Sequence, residues 1–203
     1  MAKIHNASRE GNLDELESML TEQQSLANAK DGAGRTPLHY AASHGNFNIA
    51  KSLLEHGADV NCVDREGCTP LHNAVCGDHF HYDSVSHSSC SGGDKKIVNL
   101  LIANGADVNA VDKTRHWTPL HHAASCRLFT MAEILLKRGA KADPRSKGGH
   151  TPLSLAASHA AGAFASPRGD ARPWAALLNL LLGHGANPNV EDADGRRWLR
   201  ARL

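Results

Sequence analysis

The chain has 203 residues, a formal net charge of +1 and only 4% aromatic residues. The near-neutral charge argues against a nucleic-acid partner, because proteins that bind nucleic acids usually carry a basic surface. The longest apolar run, near 174–182, is too short to cross a bilayer, so no membrane function is expected. The first residues do not resemble a secretory signal. An intracellular location, cytoplasmic or nuclear, with reduced cysteines is therefore predicted.

The tetrapeptide Thr-Pro-Leu-His occurs at 36–39, 69–72 and 118–121, and the copy at 151–154 differs only in its last residue, Ser154. The intervals between the copies are 33, 49 and 33 residues. A period of this length predicts a stack of similar units, each of which contacts only its neighbours. Such a stack favours binding through an extended surface over catalysis in a buried site.

The unit that starts at 35 gives the clearest view of the local structure. Thr36 is a helix N-cap residue, and Pro37 suits the first helical position, where its missing N–H has no cost. Gly45 is expected to end this short helix, and Gly57 to end a second helix whose apolar stripe includes Leu53. Each unit is therefore two helices and a turn, and it must stack on neighbours to bury its apolar face.

Thr-Pro-Leu-His, followed by Gly-Ala-Asp-Val-Asn at 57–61, resembles the ankyrin repeat family, and the resemblance covers nearly the whole chain. It implies an all-α repeat solenoid, an ankyrin stack of helix-turn-helix units with β-hairpin or turn fingers. Fingers and first helices would line a concave groove, and second helices would form the convex back. The histidine of the tetrapeptide would hydrogen-bond between neighbouring fingers, which gives His39, His72 and His121 a structural role.

The whole chain is interpreted as one ankyrin repeat domain. Its predicted units are 1–34 (a polar N-terminal cap), 35–67, 68–116 with an insertion at 77–93, 117–149, 150–191 with an insertion at 160–173, and a C-terminal cap stub at 192–203. The predicted helices are Pro37–Ser43, Phe47–Glu55, Lys95–Asn104, Pro119–Ser125, Thr130–Lys137 and Trp174–Leu182. The leucines assigned to equivalent buried positions are Leu54, Leu101, Leu136 and Leu182.

Both insertions fall between the first and second helices of their units. The first contains a near-palindromic Cys-x2-His and His-x2-Cys arrangement formed by Cys76, His79, His87 and Cys90. Thiolate and imidazole ligands suit zinc, and two such pairs could complete a tetrahedral site. The alternative is a Ser/His/Gly-rich loop in which Cys76 continues the first helix, with no cofactor at all. The second insertion is rich in alanine and is interpreted as an extended first helix followed by a loop.

The fourth unit has one extra residue in its finger, and Trp117 there stands directly before Thr118. In the family, the residue at this position lies on the finger and faces the groove. A tryptophan among Lys113, Arg115 and His116 suits a contact anchor, because interface hot spots favour Trp and Arg. The alternative is a tryptophan that folds back on a neighbouring finger and contributes to stability. Arg127 replaces the glycine that ends the first helix, so a different turn is expected there.

No motif of a catalytic site is present in the sequence, and a non-catalytic protein-interaction module is the leading interpretation. The resemblance implies binding through finger tips and the concave first-helix face. The site residues carried over are Arg35, Arg65, Glu66, Lys113, Arg115, His116, Trp117, Lys147 and His150. Their basic character towards the fourth and fifth units favours a protein or extended peptide partner with acidic residues.

Two alternative functions remain open. One is an interaction module in which zinc orders the insertion at 76–90. The other is a substrate of an asparaginyl hydroxylase, a reaction known for asparagines at the equivalent position in the family. Here that position is occupied by Asn28, Asn61, Asn109 and Asn189, each eight residues after a leucine.

Overall fold

The computed structural model describes residues 3–77, 93–165 and 172–191, and at 159–165 and 172–173 only the backbone. Within these ranges the chain forms ten α-helices and a 3-10 helix at Gln24–Asn28. The α-helices are α1 (Lys3–Glu10), α2 (Leu13–Glu22), α3 (Pro37–Ser43), α4 (Phe47–Glu55), α5 (Pro70–Cys76), α6 (Lys95–Ala103), α7 (Pro119–Ser125), α8 (Phe129–Lys137), α9 (Pro152–Ala165) and α10 (Arg172–Gly183). All six predicted helices are present, and their ends agree within two residues.

The helices stack in two layers. The first helices of the units, α1, α3, α5, α7 and α9, contact one another in chain order, and the second helices do the same on the other side. Each first helix also packs on the second helix of its own unit. No extended strand occurs in the described ranges. The all-α repeat solenoid expected from the sequence is therefore confirmed.

The buried leucines lie one register away from most of those predicted. The leucines four residues before the glycine that ends each second helix are fully buried: Leu53, Leu101, Leu135 and Leu181. Of the predicted leucines, Leu101 and Leu136 are buried. Leu54 and Leu182 are only half-buried, so the predicted set mixed two registers and was wrong at these two positions. The positions three and four residues before this glycine both lie on the apolar side of the helix. The periodicity of the sequence alone does not say which of the two side chains is fully buried.

The turn between first and second helix has the same backbone conformation in units with and without glycine. Gly11 and Gly45 adopt φ of 79° and 76°, and Arg127 adopts φ of 56° at the equivalent position. The Leu128 N–H donates to Ala123 O (2.8 Å), as the Asn46 N–H does to Ala41 O (3.0 Å). The expectation of a different turn at Arg127 was therefore wrong, and Arg127 bears the cost of a left-handed conformation instead.

Several predictions fall on residues that the structure does not describe. Positions 78–92, 166–171 and 192–203 lie outside the described residues, with most of the first insertion and the C-terminal stub. The backbone of α9 continues to Ala165, which confirms the extended first helix of the fifth unit. Cys62, Cys68 and Cys76 are free thiols, whereas Cys126 is disulfide-bonded, contrary to the reduced state expected of all cysteines.

Candidate partner-binding groove

Four fingers precede the helices α3, α5, α7 and α9, and we define them by the backbone hydrogen bonds that close them. Finger 2 is 31–35, finger 3 is 64–68, finger 4 is 112–117 and finger 5 is 146–150. In each, the first residue's N–H donates to the carbonyl of the last residue, at 2.9–3.1 Å. The side chain of the first residue accepts further N–H groups of its own turn, as Asp64 does from Glu66 and Cys68, both at 2.9 Å. Each finger is therefore a self-contained turn.

Neighbouring fingers are joined by one backbone hydrogen bond each. Arg65 N–H donates to Ala33 O (2.9 Å), Lys113 N–H to Glu66 O (2.7 Å) and Lys147 N–H to Arg115 O (2.9 Å). The approach is closest at Gly67, where a Cβ atom would lie 2.8 Å from Lys113 N. Gly67 also has φ of 81°, so both the space and the backbone conformation require glycine.

The tetrapeptide histidines form a second row of bonds between fingers. Nε2 of His39 bonds Cys68 O (3.0 Å), that of His72 bonds Trp117 O (3.2 Å) and that of His121 bonds His150 O (3.1 Å). At each, the Thr N–H at the helix start donates to Nδ1 at 3.1 Å. Because Nδ1 accepts a hydrogen bond from the Thr N–H, the proton of the neutral ring resides on Nε2. The Nε2–H group then donates a hydrogen bond to the carbonyl of the next finger.

These histidines are buried and stay neutral. Burial lowers the pKa of His72 to about 3 and that of His121 to about 4, and it also lowers the pKa of His39. The structural role implied for this histidine is thereby confirmed. In the fifth unit, Ser154 replaces it and its hydroxyl accepts the Thr151 N–H at 2.9 Å.

An N-terminal cleft of about 740 Å³ opens between fingers 2 and 3. Arg35, Arg65 and Glu66 line it, as the resemblance implied, and Ser43 joins from α3. Its further lining residues are Arg9, Gly32, Ala33, His39, Tyr40, His44, Asp64, Asn73 and Gly77. The charge is mixed, because three arginines and two acids share this cleft.

Arg35 is held in this cleft by a fixed set of contacts. Its guanidinium lies 3.2 Å from Asp31 Oδ2 and 4.7 Å from the centre of the Tyr40 ring. The Tyr40 hydroxyl donates to the same Asp31 oxygen at 2.7 Å. Burial opposes the ionisation of Asp31, but hydrogen bonds from Tyr40 and from backbone N–H groups outweigh it, and its pKa falls to about 2. Arg35 is therefore a positioned cation with a permanent counter-charge.

A smaller C-terminal cleft of about 370 Å³ lies between fingers 4 and 5. Arg115, Trp117, Lys147 and His150 line it, so the structure brings these predicted residues together. The remaining lining residues are Thr114, Ser125, Ser146, Gly148 and Leu155. None of the described lining residues is acidic, in contrast to the N-terminal cleft. Lys113 and His116 are exposed on finger 4 beside this cleft.

Trp117 proves to be a structural residue. Its side chain is only 7% exposed, stacked on His121 with ring centres 6.1 Å apart and edge-on to His122 at 5.0 Å. The Arg115 guanidinium covers the ring at 4.8 Å. The prediction that Trp117 is an accessible contact anchor was therefore wrong. The ring is wide enough to fill the space behind finger 4 and to support Arg115 over the cleft.

The extra residue of finger 4 is accommodated by a buried carboxylate and a strained histidine. His116 adopts φ of 55° where fingers 2, 3 and 5 have glycine. Asp112 is fully buried and accepts the Arg115 N–H at 2.7 Å, and its other oxygen lies 3.5 Å from His122 Nε2. Burial opposes the ionisation of Asp112, but the pairing with His122 and the turn hydrogen bonds dominate and hold its pKa well below the usual range.

The sequence interpretation missed the position directly after the tetrapeptide. Tyr40 and Asn73 line the N-terminal cleft, Leu155 lines the C-terminal cleft, and His122 contacts Asp112. The signal was available, because this position varies among Tyr, Asn, His and Leu while its neighbours repeat. A variable residue at a fixed offset in a first helix indicates a side chain that faces the groove.

Among the four predicted zinc ligands, Cys76 is the one that lies in the described part of the chain. Its thiol lies in the hydrophobic core, and burial raises its pKa to about 12. A metal ligand must be a thiolate, which an apolar environment disfavours. The other residues of the predicted set, His79, His87 and Cys90, lie outside the described residues.

Comparison with known proteins agrees with this architecture. The family model for ankyrin repeats (3 copies) matches residues 4–87 and 86–192, which together are most of the chain. The human Notch-regulated ankyrin repeat-containing protein is 37% identical over 79 residues, which are 37% of this chain and 69% of that protein. Within the described ranges, no helix is both long and apolar enough to cross a membrane.

Other relatives are far longer than this chain. The transient receptor potential cation channel subfamily A member 1 homolog of Caenorhabditis elegans is 48% identical over 71 residues, 35% of this chain but only 6% of that protein. Tyrosine-protein kinase HTK16 of Hydra vulgaris is 30% identical over 156 residues, 76% of this chain and 19% of the kinase. The chain thus matches a small part of these relatives, and their whole-protein activities belong to them.

Proposed function

Because the chain belongs to the ankyrin repeat family, we propose that it is a non-catalytic interaction module that binds an extended segment of a partner protein along its concave face. Ankyrin repeats are in general protein-protein interaction modules. The observation that carries the proposal is the pair of open clefts between fingers, lined by the residues that the resemblance implied. Their floors are first helices locked to the fingers by the histidine bonds, so the surface is preorganised.

The charges of the groove support a partner with acidic residues. Arg65, Lys113 and Lys147 are exposed on successive fingers. Glu66 is also exposed on finger 3, so the excess of positive charge lies on fingers 4 and 5, where Arg115 is half-buried. Asp112, a nearby acid, is buried behind finger 4 and points away from solvent. Exposed charges of one sign steer a partner of the opposite sign and set its register more than they set affinity. An intracellular partner, cytoplasmic or nuclear, remains part of the proposal.

Site-specific photo-crosslinking tests the binding face. A photoreactive residue at position 113 on finger 4 and one at position 51 on the convex side of α4 would be compared in a cell extract. A partner that binds the groove is expected to crosslink from position 113 and to be recovered with Arg65→Ala only in reduced amount. Equal crosslinking from both positions, or from position 51 alone, contradicts the proposed face.

A second candidate function, as substrate of an asparaginyl hydroxylase, is favoured at one asparagine only. Asn28, Asn61 and Asn109 donate from Nδ2 to the carbonyls of Gly57, Gly105 and Gly139, at 2.8–3.2 Å, and accept a backbone N–H of the next unit. An enzyme must break these bonds to reach the side chain. The Asn189 side chain is exposed, and the unit that follows it in the chain lies outside the described residues.

Mass spectrometry after incubation with an asparaginyl hydroxylase, iron(II), 2-oxoglutarate and oxygen tests this candidate. The expected product carries one added oxygen at Asn189, and Asn189→Ala abolishes it. Modification at Asn61 with Asn189 untouched contradicts the candidate. The zinc alternative is tested separately by elemental analysis of the purified chain, and stoichiometric zinc that disappears in Cys76→Ser would restore Cys76 as a ligand.

A further inference from the structure

The two clefts differ in the polar groups of their first helices as well as in the charges of their fingers. Ser125, at the end of α7, is 2% exposed and lines the C-terminal cleft, and its hydroxyl has no hydrogen-bond partner among the described residues. Asn73, on α5, is 6% exposed and lines the N-terminal cleft, and its Oδ1 is likewise without a partner there. Buried polar atoms are nearly always hydrogen-bonded. At each of these two atoms we therefore expect a group of a bound ligand to form the missing hydrogen bond.

The C-terminal cleft combines its unpaired hydroxyl with two positioned cations. Lys147 Nζ donates to Lys113 O at 2.6 Å, and the Arg115 guanidinium is fixed over the Trp117 ring at 4.8 Å. A hydroxyl can donate a hydrogen bond to an anion, and ammonium and guanidinium groups act only as hydrogen-bond donors. With no acid among the described lining residues, every one of these groups suits a carboxylate.

The N-terminal cleft has the opposite requirement at its floor. Asn73 Oδ1 can only accept a hydrogen bond. Asp64 and Glu66 at the rim offset the arginines there, so an incoming anion gains little from this cleft. A neutral group that carries an N–H or O–H donor fits Asn73 best.

We propose that the groove reads an extended peptide at two points: a carboxylate side chain in the C-terminal cleft, and a neutral hydrogen-bond donor in the N-terminal cleft. The proposal rests on the function proposed above and adds the spacing between the two recognised residues of the peptide. Asn73 lies on α5 and Ser125 on α7, which are neighbouring first helices, and adjacent layers of a helical stack lie about 10 Å apart. An extended chain advances about 3.3 Å per residue, so the two points are about three residues apart.

Selection of a displayed library of random 12-residue peptides on the full chain tests the proposal. Peptides enriched on the unmodified chain are expected to carry Asp or Glu at one position, and Asn, Gln, Ser or Thr about three positions away. The acidic preference should disappear on Arg115→Glu/Lys147→Glu and persist on Asn73→Leu, which should lose only the second preference. Lys51→Glu, on the convex side, is the matched control and should keep both.

The best peptide, resynthesised with a fluorescent label, then gives the magnitude. The charge reversal is expected to weaken its Kd at least tenfold, and Lys51→Glu less than twofold; Lys147→Glu alone replaces the double variant if circular dichroism shows that the latter is unfolded. Enriched peptides without an acidic position, or an acidic preference that survives the charge reversal, overturn the two-point proposal. A phosphopeptide that binds where its Glu counterpart does not overturns the carboxylate assignment. If no peptide is enriched, the proposed function itself fails.

Discussion

At the scale of single residues, Trp117 carries a clear energetic expectation. Its ring fills the space between finger 4 and α7 and is 7% exposed. Truncation of a buried tryptophan to alanine usually costs about 3–5 kcal/mol, and Trp117→Ala is expected to destabilise the fold by about 3 kcal/mol. Urea unfolding measures the change. Lys113→Ala, on the exposed side of the same finger, should stay within about 0.5 kcal/mol, and equal effects of the two variants would contradict the buried role.

Asp143 interrupts an otherwise regular row of asparagines. Like Asn28, Asn61 and Asn109, it accepts a backbone N–H of the next unit, from Asn187 at 2.8 Å. The asparagines also donate a hydrogen bond from the amide nitrogen Nδ2 to a glycine carbonyl, which a carboxylate cannot do because it carries no N–H group. Asp143 Oδ1 is accordingly buried without a hydrogen-bond partner among the described residues.

Asp143→Asn is therefore expected to stabilise the chain. The new amide would donate a hydrogen bond and remove a buried unpaired acceptor, a gain of about 1–2 kcal/mol. The reverse change at a complete position, Asn61→Asp, should destabilise by a similar amount. Thermal unfolding of the two variants measures both effects, and a lower melting temperature for Asp143→Asn would refute the assignment.

The sequence identified groove residues better than it identified their roles. Arg35, Arg65, Lys147 and His150 could be assigned to the groove because the repeat fixes their offset from the tetrapeptide. Whether Trp117 points outward or inward depends on the volume behind finger 4 and on His121 and His122, which the local pattern does not encode. The same holds for Cys76, whose sequence spacing suggested a ligand and whose packing makes it a core residue.

At the scale of elements, the finger and the helix behind it are joined through neutral histidines, which makes the stack sensitive to acid. The unfolded chain binds a proton at each of His39, His72 and His121 below about pH 6.5. The folded chain resists this, because the pKa of His72 lies at about 3 and that of His121 at about 4. Since the unfolded state then binds more protons, stability is complete above pH 6.5 and falls as the pH decreases from there towards 4.

The expected slope is about 1.4 kcal/mol per pH unit for each of His72 and His121. Urea unfolding at several pH values between 7.5 and 4.5 measures it, and His72→Gln should remove about one histidine's share of the slope. The lowered pKa of Asp31, about 2, adds its own loss only below about pH 4, so this window is free of its contribution. Stability that is constant over the window, or a slope unchanged in His72→Gln, would show that the rings are protonated in the fold.

Element boundaries could be predicted closely wherever Thr-Pro and Gly mark both ends of a helix. α3, α4 and α7 begin and end at the predicted residues. The conformation of the turn at Arg127 could not be predicted in this way, because its left-handed backbone is one that arginine does not prefer. The prediction rested on local preference, and the packing of α7 against α8 overrides it.

At the scale of the whole molecule, each unit contacts only its neighbours, and damage should stay local. Leu181, fully buried in α10, belongs to the last described helix pair, and Leu101 occupies the same register in the middle of the stack. Each leucine truncated to alanine should cost about 2–5 kcal/mol. In Leu181→Ala, hydrogen exchange should accelerate first in α9 and α10, while α1 to α4 stay protected.

Leu101→Ala is the matched comparison, because both of its flanking units are held by neighbours on the far side. Its effect should spread to α5 through α8 before it reaches either end. Uniform loss of protection along the chain in Leu181→Ala would mean that the stack unfolds as a single unit, contrary to this expectation.

The two rows of bonds between units also determine how the stack responds to force. His39, His72 and His121 join the fingers on one side, and Asn28, Asn61 and Asn109 join the loops after the second helices on the other. A pull on the two ends loads every junction in series, so the junction with the fewest bonds yields first. Among the described junctions that is the one between the fourth and fifth units, where Asp143 accepts the Asn187 N–H but donates nothing, although His121 still bonds His150 O. The fifth unit is therefore expected to detach first under tension, which would open the C-terminal cleft and leave the N-terminal cleft between fingers 2 and 3 intact.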